Sequence, residues 1–275
     1  MRGARHPGPS QPKERPWGYS LVGQIARSIR GLAWLAIPVL LLGISLAHAG
    51  ETGQPVRFVS RDGVTLVGSY YPPPRGPVPA ILLLHMLSRD RTDWNPLAGR
   101  LQAAGWAVLS FDLRGHGESR FQGGRPLYWR DFSDADFNKM VLDVEAAQGY
   151  LKGLKEVDAN RVAILGASIG CNVALNFASD HPQVRALVLL SPGLKYRGVL
   201  SEPAMKRYGA SGRSALIVAR TDDGYSADSS KKLKSLAAAR TTLILYERAG
   251  HGTQMLAKER GLEEQILSWL KTALR

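Results

Sequence analysis

Residues 161–176 read RVAILGASIGCNVALN. Val162 to Leu165 are apolar and include the β-branched Val162 and Ile164, which suits a strand buried on both faces. Gly166, Ala167, Ser168, Ile169 and Gly170 follow as G-x-S-x-G, and Asn172 to Ala178 then have the apolar density of a helix. A serine at a strand-to-helix junction of this kind sits in a strained turn with its hydroxyl lifted clear of the sheet. The flanking glycines leave room for the neighbouring elements. Ser168 is therefore the candidate nucleophile. Because the pentapeptide alone is a frequent chance pattern, its meaning rests on this strand-and-helix context and on partners further along the chain.

The chain of 275 residues has room for one large α/β domain or two small ones, and its 44% hydrophobic content is ample for a core. Its formal charge is +13, of which +5 lies in the first 49 residues and +8 is spread over the remaining 226. No run of five basic residues occurs and no aromatic residues alternate with the charges, so a solvated basic surface is expected and not a nucleic-acid groove. The single cysteine, Cys171, forbids an internal disulfide and reads as a small core residue of the helix after Ser168.

Residues 1–49 read as a targeting segment. A basic, proline-rich lead precedes the uncharged run from Leu32 to Ala47, which ends in Ala47, His48, Ala49. A basic region, an apolar core and an A-x-A pattern together predict a secretory signal and an exported protein, periplasmic or extracellular. The lead is long for such a signal, so an uncleaved anchor holding the protein at the membrane through residues 32–47 is the alternative.

From Gly50 onward strands and helices alternate as a doubly wound sheet requires. Val56–Ser60 and Val64–Tyr71 flank Asp62-Gly63 as a hairpin. Ala80–Leu84 and Ala107–Phe111 are expected strands, with a helix between them over 93–104. A long loop over 112–131 precedes a helix over about 135–151. After the serine strand and helix come strands at 184–190, 216–219 and 242–246 and helices at 229–238 and 261–273. Residues 191–212 read as a polar, irregular insert. With no repeat and no linker after residue 50, one domain over 50–275 is expected.

Several short motifs sit at the ends of these strands: LLLH at 82–85, DLRGHGES at 112–119, GASIG at 166–170, an aspartate pair at 222–223 and AGHG at 249–252. Together, and in this order, they resemble the α/β-hydrolase family, most of all its small serine-esterase and dienelactone-hydrolase-like members. The resemblance implies an α/β-hydrolase fold with a mostly parallel sheet, an N-terminal hairpin and a minimal cap over 191–212. It also implies a chain order of serine, acid, histidine.

Of the six histidines only His251 follows the final strand, where that order places the base. An imidazole with a pKa near ~6.5 can take the serine's proton and return it to the leaving group. Family members carry Gly-x-x-Asp after the strand at 216–219; counting from Arg220, which stands in the glycine position, gives Asp223, with Asp222 as the alternative. The oxyanion donors implied are the N–H groups of Ile169 and Leu87. Met86 replaces the glycine usual in that loop and is expected to line the pocket, as are Tyr225 and Trp129. His85, Asp112, Arg114 and His116 resemble a structural brace.

The function expected is a serine hydrolase cleaving small-molecule carboxylic esters through an acyl-enzyme, with no cofactor and no metal. The same triad can run thioesterase, peptidase or acyltransferase chemistry, and a non-catalytic binding protein anchored at the membrane on this fold is the alternative of another class.

Overall fold

The apolar run Ala80–Leu84 lies in the middle of a ten-stranded sheet. The computed structural model describes residues 53–275, so the basic lead and the apolar run over 32–47 lie outside the described residues. Among the described residues no helix is long and apolar enough to cross a membrane. Two strands, β1 (Gln54–Val59) and β2 (Val64–Tyr71), form the antiparallel hairpin expected around Asp62-Gly63. The strands β3 (Val78–Leu84), β4 (Ala107–Phe111), β7 (Val157–Ala167), β8 (Val184–Leu190), β11 (Ser214–Arg220) and β12 (Thr241–Tyr246) form the parallel part. They lie in the order β12, β11, β8, β7, β3, β4, followed by β2 and the two-residue strands β5 (Phe121–Gln122) and β6 (Arg125–Pro126).

Helices cover both faces, and this is why the central strands are apolar at every position. Leu82 and Leu84 of β3 face one core, shared with α3 (Val141–Lys152) and α4 (Ile169–Asp180). Ile81 and Leu83 face the other, shared with α1 (Asn95–Ala103) and α8 (Leu262–Ala273). Each of these side chains is fully buried and contributes about 2 kcal/mol, so the centre of the sheet holds the serine strand β7 firmly between β3 and β8.

Two regions differ from the sequence reading. The helix expected over about 135–151 is two: α2 (Asp134–Asn138), capped by Ser133 and Asp136, and α3, which begins at Val141. The insert over 191–212 is ordered. It holds a hairpin of β9 (Lys195–Tyr196) and β10 (Val199–Leu200), closed by Arg197 and Gly198 with φ of 48° and 76°, and then α5 (Glu202–Ala210). Two positive φ values in a two-residue loop match the twist of a hairpin. Ala204, Met205 and Tyr208 bury one face of α5, and the Tyr208 hydroxyl donates to the Ser214 carbonyl at 2.8 Å.

Two glycines test this packing. A Cβ on Gly170 would lie 2.5 Å from the Leu84 carbonyl oxygen, whereas one on Gly149, exposed in α3, would meet nothing within 4 Å. Gly170→Ala is expected to destabilise by at least about 2 kcal/mol, lowering Tm by roughly 4–8 °C. Gly149→Ala should raise stability by about 0.5–1 kcal/mol. Thermal melts of the two variants beside the wild type check the contrast.

Candidate active site

The site is assembled at the C-terminal ends of β3, β7, β8, β11 and β12. Ser168 sits between β7 and α4 at φ 52° and ψ −120°, a conformation costly for a side chain other than glycine, by about 1–3 kcal/mol. The sheet and helix enforce it. The Ser168 N–H donates to the Leu190 carbonyl at 2.9 Å, and the Ser168 carbonyl accepts from the Cys171 N–H at 2.9 Å. The flanking glycines are required: a Cβ on Gly166 would lie 2.5 Å from the Gly170 backbone, and one on Gly170 would strike the Leu84 and His85 carbonyls. Cys171 is fully buried, its Sγ within 3.1 Å of the Gly166 carbonyl, and burial pushes its thiol pKa up.

Asp223 leaves β11 and directly precedes α6 (Gly224–Leu236). Its Oδ2 lies 2.5 Å from Nδ1 of His251. Burial alone would raise the Asp223 pKa, but the hydrogen bond and charge of His251, with the hydroxyl and N–H of Ser226, outweigh it and hold the carboxyl below its ordinary value. Asp222 turns outward and pairs with Arg220 at 3.3 Å. Of the two aspartates, the structure brings Asp223 to the histidine.

His251 lies in the loop between β12 and α7 (Gln254–Lys258). This loop is pinned from several sides. The Gly252 N–H donates to the Ser191 hydroxyl at 3.0 Å. A Cβ on Gly252 would stand 2.8 Å from the Met86 sulfur and 3.3 Å from the Ala167 Cβ, so the loop presses directly on the serine turn. Thr253 donates through its hydroxyl to Asp93 at 3.1 Å, and Asp93 is held in turn by Arg89 at 2.5–3.0 Å. Since Arg89 belongs to the loop after β3, these contacts tie that loop to the histidine loop. No hydrogen bond joins the Ser168 hydroxyl to the imidazole; such contacts commonly tighten only when substrate binds.

The loop after β3 carries His85, Met86 and Leu87. His85 is fully buried, with Nε2 accepting from the Leu113 N–H at 3.0 Å and Nδ1 donating to the Met86 carbonyl at 2.8 Å. This assignment of the ring proton follows from the partners. Leu87 is half-buried and Ile169 buried, and the N–H groups of both are without a partner among the described residues.

Beneath this loop lies the brace. Asp112 accepts from the Arg91 N–H, the Arg91 guanidinium and the Glu118 N–H at 2.5–2.8 Å. Arg114 joins Asp143 to Asp62. Trp129 stacks on His116 with ring centroids 5.4 Å apart, and His116 packs against His85 at 5.0 Å. Trp129 thus reaches the site through a column of rings. Met86 touches the histidine loop directly, and Tyr225 is half-exposed with its hydroxyl bonded to both the N–H and the carbonyl of Lys195 at 2.8 Å.

One residue of the insert also stands here: the sequence offers Tyr196, with Leu200, Met205 and Tyr208, as a side chain able to cover an acyl or aryl group or to lie in a solvated loop. Tyr196, in β9, meets His251 edge-on with centroids 6.4 Å apart, and its hydroxyl lies 3.0 Å from the Ser226 hydroxyl. Its position depends on the hairpin, for which the sequence carried no Asn-Gly or Asp-Gly signal.

Residues 76–218 match the family model described as serine aminopeptidase, S33, a segment that contains Ser168 and ends before Asp223 and His251. An uncharacterized protein of Mycobacterium tuberculosis is 30% identical over 235 residues, 79% of each chain. A monoacylglycerol lipase of Mycolicibacterium smegmatis is 28% identical over 142 residues, 50% of this chain and 46% of the lipase. Among solved structures, an esterase of Pyrococcus furiosus superposes with a TM-score of 0.64 at 16% identity, covering 82% of this chain and 92% of the esterase. A dienelactone hydrolase of Anabaena variabilis does so with a TM-score of 0.62 at 22% identity, covering 81% and 100%. At these identities the structures show the shared fold alone. The chain belongs to the S33 family of α/β-hydrolases.

The buried ring column has a pH signature. Burial, and secondarily the neighbouring His85, push the His116 pKa down to about 3 from 6.5. Because the folded value lies below the unfolded one, the stability contributed is complete above about pH 6.5. It is lost as pH falls toward 3, at about 1.4 kcal/mol per pH unit for one histidine. His116→Gln is expected to flatten the fall of Tm between pH 7 and pH 5; equal slopes in wild type and variant would refute the assignment.

Proposed function

We propose that this hydrolase cleaves carboxylic esters with Ser168 as nucleophile, His251 as general base and acid, and Asp223 as the group that orients and charges the imidazole. The observation that carries this reading is the 2.5 Å contact between Asp223 and His251, made from two separate loops beside the serine turn. With Nδ1 bonded to the carboxylate, Nε2 is the nitrogen left to take the serine's proton. Attack on the substrate carbonyl forms a tetrahedral intermediate whose oxyanion is met by the N–H groups of Leu87 and Ile169. The imidazolium then returns its proton to the departing alcohol, and water releases the acyl-enzyme by the same steps.

The monoacylglycerol lipase among the relatives supports esters; the family description supports peptides, which the same groups can cleave. Met86 and Tyr225 at the edge of the site are proposed to contact substrate, and Trp129 to support the oxyanion loop through His116. Export by residues 1–49 belongs to the same proposal.

A fluorophosphonate probe is expected to label the wild type and not Ser168→Ala. Against p-nitrophenyl esters from acetate to palmitate, His251→Ala should lose on the order of 10³-fold or more in turnover, and Asp223→Asn on the order of 10²–10⁴-fold. Asp222→Asn should stay within about twofold, its carboxylate being paired away from the imidazole. Labelling without ester turnover, together with cleavage of aminoacyl p-nitroanilides, would move the assignment to a peptidase.

A further inference from the structure

Tyr196 is unassigned by the triad and the two backbone donors, yet it is one of the most deliberately held side chains at the site. Tyr225 fastens the strand that bears it by bonding both polar backbone groups of Lys195. The two tyrosine rings pack edge-to-face at 5.6 Å, and a Cβ on Gly193 would lie 2.6 Å from the Tyr196 ring, so the ring occupies a slot that only glycine permits. At its outer end the hairpin is docked on α2: Asn138 donates to the Gly198 carbonyl at 3.2 Å, and a Cβ on Gly198 would strike Asp134.

A tyrosine hydroxyl has one proton to donate and can also accept. Here it lies 3.0 Å from the Ser226 hydroxyl, where either oxygen can donate, and 3.5 Å from the Ser191 carbonyl. With the Ser226 proton given to Asp223, the phenolic proton rests on the Ser226 oxygen, and an incoming substrate oxygen competes with that single acceptor for it. Burial pushes the Tyr196 pKa up to about 12, so the proton stays on the oxygen through the working pH range.

The side from which the hydroxyl approaches assigns its role. The serine strand β7 lies between β3 and β8. The oxyanion donor Leu87 follows β3, while Tyr196 follows β8, on the opposite flank, against the edge of the imidazole. A tetrahedral intermediate whose oxyanion points to the β3 side presents its leaving-group oxygen to His251 and to this hydroxyl. We infer that the Tyr196 hydroxyl donates a hydrogen bond to the leaving-group oxygen as the intermediate collapses, making Tyr196 a catalytic residue selective for esters of poorly leaving alcohols. In that step the bond between the carbonyl carbon and the leaving oxygen breaks, its electron pair goes to that oxygen, and the proton on His251 Nε2 is transferred to it. Tyr196 keeps its own proton. The inference rests on the serine hydrolase reading above.

The test is Tyr196→Phe, which keeps the ring in its slot, assayed by kcat/KM on esters of one acyl group with p-nitrophenol and with ethanol. The p-nitrophenolate ion leaves without help, so the variant should stay within about threefold of wild type on that ester, and its rate of fluorophosphonate labelling should be equally unchanged. On the ethyl ester it should lose about 10–100-fold. Equal losses on both esters, or none on either, overturn the role assigned to Tyr196 while leaving the triad standing. A wild type that is neither labelled nor active on any ester overturns the hydrolase reading and this inference with it.

Discussion

The serine turn works because two backbones approach more closely than any side chain would allow. At Gly170 the first turn of α4 lies against the carbonyls of Leu84 and His85, and at Gly166 the end of β7 lies against Gly170 itself. That approach forces Ser168 to the positive φ that lifts its hydroxyl, and it places the N–H of Ile169 beside the loop after β3. The strain is local, and it is offset by a sheet centre whose side chains are fully buried on both faces. Ser191, directly after β8, and Ser88, in the loop after β3, also have positive φ.

Polar contacts fix what the turn presents. The carboxylate of Asp93 receives Arg89 from one loop and Thr253 from another. The sulfur of Met86 fills the space that Gly252 leaves open. The loop after β3 and the histidine loop are thereby held in one frame, although 160 residues separate Asp93 from Thr253 in the chain. The departure from the family pattern at position 86 is matched by the glycine at position 252.

How much of this was readable beforehand follows the physics of each part. The central strands were legible because a strand covered on both faces must be apolar throughout, as AILLL and VAILG are. The placement of Ser168, His251 and the aspartate pair followed from motifs at strand ends. Between Asp222 and Asp223 the sequence offered only a count from Arg220, and geometry separated them. The break between α2 and α3 was hidden because Phe137, Met140, Val141 and Val144 keep a helical spacing across it. The hairpin of the insert was hidden because its turn is Arg-Gly and its strands are two residues each, too short for any alternation to register. Tyr196 was readable only as one of four insert side chains able to cover a substrate, since what aims it is a tyrosine 29 positions later bonding to backbone.

The bracing of that hairpin at both ends carries a consequence for selectivity. A flap that swings shut can mould itself to different guests and admit them by a change of shape. A roof tied at its root by Tyr225 and at its tip by α2 is shaped in advance, so any guest meets a fixed surface at Tyr196. Widening the range of compounds accepted would then require shortening side chains around the opening, because loosening a hinge that this roof does not have would gain nothing.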